Sequence, residues 1–138
     1  MRLLTKNSDY AIRALLELAK TPEQSRSARD LSRDLNIPYE YLRKILQQLV
    51  KDGFVQSKEG GIGGFRLALP PERIVIADVM KIYQGPIQLS ECMFRSQICA
   101  NRANCVLRHN IMRIESLVQQ EFKAMTVGGL LQQIGVSV

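Results

Sequence analysis

Between positions 8 and 20 the sequence SDYAIRALLELAK is apolar nearly all round a helix, apart from a charged stripe at Asp9, Arg13 and Glu17 spaced four residues apart. That spacing keeps the charges on one face, so the segment predicts a first helix buried on its other sides. After the polar break TPEQSRS, Ser27 can cap a short helix, Asp30 favours its positive end, and Ala28, Leu31 and Leu35 share one face. This second helix should end at Asn36. Pro38 suits a first helical turn and Gly53 a left-handed stop, so IPYEYLRKILQQLVKDG predicts a third helix. Leu42, Ile45, Leu46, Leu49 and Val50 face inward on it; Glu40, Arg43, Lys44, Gln47 and Lys51 face out.

Two helices joined by the short turn LNIP have the length and polarity of a helix-turn-helix, a pattern that ordinary helical hairpins share. The next segment separates the two readings. FVQS and FRLAL are strand-like runs on either side of KEGGIGG, so a hairpin follows the third helix directly, which is the order of a winged helix. The tip glycines, Gly61 and Gly63 among them, permit a tight turn and a close backbone approach to a phosphate-lined groove.

Pro70 and Pro71 break the chain, and IVIADVMKIYQG predicts a short strand running into a helix that Gly85 and Pro86 end. From Asn104 onward Leu107, Ile111, Ile114, Val118, Phe122 and Met125 recur at intervals of three and four, marking one apolar face on a helix of about twenty residues. A small winged domain offers little to cover such a face, which makes it a candidate dimerisation helix. Thr126 can cap a last short helix, VGGLLQQIG, against which Gly128 and Gly129 weigh. The expected architecture is mainly α with a small β-wing: a winged helix-turn-helix domain over 1–85, a cysteine-containing loop over 86–104, and the dimerisation helix with a short terminal helix over 105–138.

Composition narrows the setting. The chain of 138 residues, 46% apolar and 23% charged, is globular rather than disordered. No apolar run reaches the roughly 18 residues a membrane span needs, and MRLLTKNSDY lacks the features of a secretory leader, so the expected place is the cytoplasm. A formal charge of +6 suits an acidic partner such as nucleic acid. The candidate contacts with double-stranded DNA are Ser27, Tyr39, Glu40, Tyr41, Arg43, Lys44 and Gln47, with Lys58, Gly61 and Gly63 from the wing. Arg43, Lys44 and Gln47 have the chemistry to reach base edges or phosphates, and Glu40 to accept from cytosine. Each is equally the composition of a solvated helix face.

All three cysteines, Cys92, Cys99 and Cys105, lie within CMFRSQICANRANC. An odd count in a reducing compartment argues against a lasting disulfide and for metal binding or redox sensing. Gaps of six and five residues fit a zinc knuckle poorly, although a three-cysteine zinc site completed by His109 is chemically possible. An iron-sulphur cluster needs about four ligands, so a residue of another type must join the thiolates. No phosphate loop, nucleophile elbow or paired catalytic carboxylates accompany the single histidine, so the chain does not read as an enzyme.

The segments LTKNSDYAIRALLELA, SARDLSRDLNIPYEYLRKILQQLVKDG and SKEGGIGGFRLA, with the late cysteine trio, resemble the Rrf-type winged-helix transcriptional regulators that carry iron-sulphur clusters. The resemblance spans essentially the whole chain. It implies a homodimeric transcription factor, repressors being among its kind, that binds a palindromic operator and holds a [2Fe-2S] or [4Fe-4S] cluster on Cys92, Cys99 and Cys105. For the fourth ligand it offers two positions. In one branch an aspartate on the first helix of the other subunit completes the cluster, and Asp9 stands at the matching place. In another a histidine follows the third cysteine after two residues, whereas here His109 follows Cys105 after three. Cluster state would then control operator affinity in answer to iron-sulphur status, nitric oxide or redox state. The alternative is a zinc-structured or thiol-redox-sensing DNA-binding protein without a cluster.

Overall fold

The computed structural model describes residues 2–59, 63–89 and 104–135. Helix α1 (Lys6–Lys20) starts two residues before the apolar run does, because Thr5 caps it by accepting from the Ser8 N–H at 3.3 Å. Ser8, expected to open the helix, is its third residue and is fully buried. Asp9 and Arg13 pair along the exposed stripe, and Glu17 meets Lys20 and Arg26.

Helix α2 (Ala28–Leu35) begins where Ser27 accepts from the Asp30 N–H at 3.0 Å and stops at Asn36, which adopts a left-handed φ of 55°. Helix α3 (Tyr39–Lys51) follows after Ile37, which plugs the core, and Pro38. Its buried side chains are Leu42, Ile45, Leu46 and Leu49, as the period of the sequence predicts. Strands β1 (Val55–Lys58) and β2 (Gly64–Leu67) pair antiparallel with Val55 opposite Leu67 and Lys58 opposite Gly64. The wing is tied to the body by Arg26, whose backbone exchanges two hydrogen bonds with Phe65 at 2.8 and 2.7 Å. Gly64 allows that approach, since a Cβ there would lie 2.5 Å from the Arg26 carbonyl oxygen.

A single 3-10 turn (Pro71–Arg73) leads to α4 (Ile76–Gln84). The strand expected before α4 does not form: Ile74 and Val75 are extended, but Val75 makes only an isolated bridge with Thr126 and the helix begins at Ile76. Helix α5 (Val106–Ala124) packs on α4, and α6 (Val127–Ile134) returns to α1 and to the 3-10 turn. Thr126 caps α6, accepting from the Gly129 N–H at 2.9 Å. The two glycines that weigh against this helix have a packing reason, because a Cβ on Gly128 would meet the Glu72 backbone nitrogen at 2.9 Å. Within 105–138, therefore, α6 belongs to the body's core through Val127 and Leu131, while α5 lies outside it.

The core joins Leu15 and Leu18 of α1, Leu31, Leu42, Leu46 and Leu49 of α2 and α3, Val79 and Met80 of α4, and Leu131 of α6. Helix α5 has no fully buried residue; Phe122 and Met125 pack against the core at its end, while Val106, Leu107, Met112, Ile114 and Leu117 stand exposed. Among the described residues no helix is long and apolar enough to cross a membrane.

Candidate nucleic-acid interface and cysteine site

Burial of one face of α3 forces the opposite face outward, and Glu40, Arg43, Lys44 and Gln47 are exposed. The Arg43 Nη1 lies 3.8 Å from a Glu40 carboxylate oxygen, with side chains 48% and 74% exposed. A pair this open contributes only about 0.3–0.5 kcal/mol, so it leaves Arg43 free to change partner. Lys44 and Lys58 make no ion pair among the described residues. Between α3 and the hairpin runs a cleft of about 340 Å³ lined by Gln47, Val50, Ser57, Lys58, Glu59, Gly64 and Phe65. Helix α3 and the wing thus frame one cleft, whose lining holds the exposed Gln47 carboxamide and the exposed Lys58 ammonium.

The other candidates divide. The Ser27 hydroxyl oxygen is engaged as the α2 cap. Tyr39, at the first turn of α3, carries the Arg29 guanidinium 4.6 Å from its ring centre, a cation–π contact that places a further exposed cation beside the start of α3. Sequence reasoning misses Arg29, since nothing in its position two residues after Ser27 points to an aromatic partner ten residues on. Tyr41 turns toward α1: it meets Tyr10 edge-to-face at 5.2 Å, its hydroxyl donates to the Asn7 side-chain oxygen, and the Lys6 ammonium sits 5.5 Å from both ring centres. Gly63 borders the wing, and Gly61 lies outside the described residues.

Of the cysteines, Cys92 and Cys99 lie outside the described residues. Cys105 is a half-buried free thiol and the N-cap of α5, its sulphur accepting from the Arg108 N–H at 3.5 Å. His109, one turn along, is exposed and joined to Cys105 by the helical hydrogen bond of 3.1 Å between its N–H and the Cys105 carbonyl. Asp9 receives Arg13 Nε at 3.1 Å on the exposed stripe of α1. Among the described residues no three of His, Cys, Asp and Glu converge on one metal position.

Two sets of polar contacts connect these places. Gln84, the last residue of α4, accepts from the Ser8 hydroxyl at 2.6 Å and from the Thr5 N–H at 3.1 Å, while its amide donates to the Leu3 carbonyl at 3.0 Å. It therefore clamps the start of α1, where Asp9 sits, to the end of α4, where the chain departs toward the cysteines. On the far side, Glu115 accepts from the Leu89 N–H and Gln119 donates to the Ile87 carbonyl, each at 3.0 Å, fixing that departing segment to α5.

A helix-turn-helix followed at once by a two-stranded wing, with an unburied basic helix face between them, defines a winged-helix DNA-binding protein. Residues 4–133 match the model of the Rrf2 family, described as an iron-dependent transcriptional regulator, and the chain belongs to that family. Its function is therefore transcriptional regulation through DNA and not enzymatic catalysis. The chain is 32% identical over 130 residues to the HTH-type transcriptional regulator NsrR of Shouchella clausii, covering 93% of this chain and 87% of the relative. Among solved structures it is similar to CymR, the global cysteine regulator of B. subtilis, with a TM-score of 0.82 at 24% identity over 96% of this chain and 98% of the other. It is also similar to T. potens IscR, with a TM-score of 0.76 at 19% identity over 95% and 87% of the two chains. At those identities the structural likeness shows the winged-helix fold.

Proposed function

We propose that the protein is a cytoplasmic, homodimeric regulator that binds a partly palindromic operator, with an iron-sulphur cluster setting its affinity. The observation that carries the DNA half is the exposed face of α3 beside the wing. Glu40, Arg43, Lys44 and Gln47 enter the major groove, with Ser27, Arg29 and Tyr39 toward the flanking backbone and Lys58, Gly61 and Gly63 at the wing. Tyr41 acts from behind by bracing α3 on α1. Two copies joined through α5 present two such helices to half-sites about one helical turn apart. Residues 1–85, closed by α6, form the reading unit, 86–104 the sensing loop, and α5 the joining element within 105–138.

The cluster half rests on three cysteines grouped within fourteen residues of a chain from a family described as iron-dependent. Cys105 fits a ligand role, because it is half-buried at a helix start and the hydrogen bond its sulphur accepts from Arg108 is long. Asp9 fits as the fourth ligand from the other subunit, its carboxylate held only by an exposed ion pair. His109 is the second candidate because it lies one turn from Cys105. Bound there, a [2Fe-2S] or [4Fe-4S] group would supply an oxidisable, displaceable centre. The clamp at Gln84 would then carry any shift of the sensing loop to α1, against which α3 packs.

The test is anaerobic purification with iron and sulphide quantification and an absorption spectrum, on wild type, Asp9→Ala and His109→Ala. Brown protein altered by Asp9→Ala and unchanged by His109→Ala supports the reading. Colourless protein with stoichiometric zinc contradicts the cluster, and a spectrum altered only by His109→Ala contradicts Asp9. On DNA, Arg43→Ala should cost about 1–3 kcal/mol on the operator and far less on random duplex if it reads a base; equal weakening would make it a phosphate contact.

A further inference from the structure

The scheme above leaves the space behind Lys44 without a role. That space is a groove of about 730 Å³ between the start of α1, the side of α3 and the end of α4, within the range of small-molecule sites. Its apolar walls come from Tyr41, Ile45, Ile82 and Tyr83. Most of its polar groups already have partners inside the protein. The Tyr41 hydroxyl donates to Asn7, and the Tyr83 hydroxyl donates to the Ile45 carbonyl at 2.9 Å. Gln48 donates to Asp52 at 2.6 Å, and the Glu40 carboxylate leans toward Arg43. One charged lining group has no ion-pair partner among the described residues, the Lys44 ammonium at the mouth.

An apolar trough with a single free cation at its rim is complementary to one chemical class, an apolar body bearing one negative charge. We propose that this groove binds a small apolar carboxylate whose anionic head takes Lys44, and that filling it releases DNA. The release rests on the assignment of Lys44 to the DNA-facing side of α3: one ammonium cannot serve a ligand carboxylate inside the groove and a phosphate or base outside it. The groove would be a second input to the regulator, chemically independent of the cysteines.

The probe is 2-naphthoate, with uncharged 2-naphthamide as its isostere, titrated by calorimetry into the full-length protein and then into its complex with the operator duplex. Naphthoate should bind about threefold to tenfold tighter than the amide, Lys44→Met should bring the two together, and naphthoate should displace the duplex. Ile82→Trp, which fills the trough without touching the outer face of α3, should abolish naphthoate binding and keep the duplex. Equal binding of acid and amide by wild type overturns the proposal, as does naphthoate binding that survives Ile82→Trp. Binding seen only after the protein is made monomeric overturns it too, because a second copy would then be the occupant. Failure to hold the duplex before naphthoate is added defeats the DNA reading and with it the release, whereas the titration without DNA separately decides the ligand.

Discussion

The winged body and helix α5 belong to one chain and obey different rules. In the body every long helix buries a face against another: α1 seals Leu15 and Leu18, α3 seals Leu42, Leu46 and Leu49, and even the short α6 seals Leu131. Helix α5 is the longest of the described helices and buries nothing fully, while Leu107, Ile114 and Leu117 lie seven and three residues apart on its open side at 66%, 45% and 51% exposure. A stripe with that period is what a partner helix covers. The body covers its own apolar faces, whereas α5 leaves open the face that the proposed dimer would cover.

Substitutions in the two regions should differ accordingly, and the largest effect belongs to the body. Leu15→Ala, at the fully buried centre of α1, should cost about 2–5 kcal/mol in chemical denaturation at any protein concentration. Loss of less than 1 kcal/mol would mean that the body is not sealed as described. Next comes Gln84→Ala, which leaves the buried Ser8 hydroxyl only the Thr5 hydroxyl as partner and frees the Thr5 N–H; about 1–3 kcal/mol should be lost, with faster hydrogen exchange confined to the start of α1.

Tyr83→Phe should cost about 1 kcal/mol at neutral pH through the lost bond to the Ile45 carbonyl. It should also change the alkaline limb. Burial, with the Asp52 charge adding to it, pushes the Tyr83 phenol well above its usual range. Below about pH 10 both states hold the proton; above it the unfolded chain releases first, so wild-type stability falls as pH rises. Tyr83→Phe should flatten that fall, and a limb unchanged by the substitution would show Tyr83 titrating normally. The smallest effect is Leu117→Ala, expected within about 0.5 kcal/mol at dilutions where the chain is monomeric. A core-sized cost there would erase the contrast between α5 and the body.

Much of the body is legible in the sequence because its signals are local. Ser27 and Asn36 bound α2 by their own side-chain and backbone chemistry, and the period of α3 sorts Leu42 and Leu46 from Arg43 and Lys44 without any tertiary knowledge. Errors arise where distant partners decide. Thr5 starts α1 outside the apolar run, helped by Gln84 from the other end of the domain. Ile74–Ile76 has strand composition but finds only Thr126 to bridge, and Gly128 is required by Glu72, far away in sequence. At the candidate DNA face the outward residues can be read from periodicity, whereas the Arg29–Tyr39 stack and the inward turn of Tyr41 cannot, since each depends on how two helices meet. The cysteine grouping is plain in the sequence, but the capping of α5 by Cys105 depends on where that helix begins.

The most direct test of a DNA reader assembled through α5 is sedimentation velocity of wild type beside Ile114→Asp/Leu117→Asp, with the thermal melt of each followed by circular dichroism. Wild type should sediment as a dimer, and the variant as a folded monomer whose body melts cooperatively and whose operator binding falls to the level of random DNA. A monomeric wild type, or a variant that stays dimeric, would contradict the claim that the bare face of α5 joins two copies.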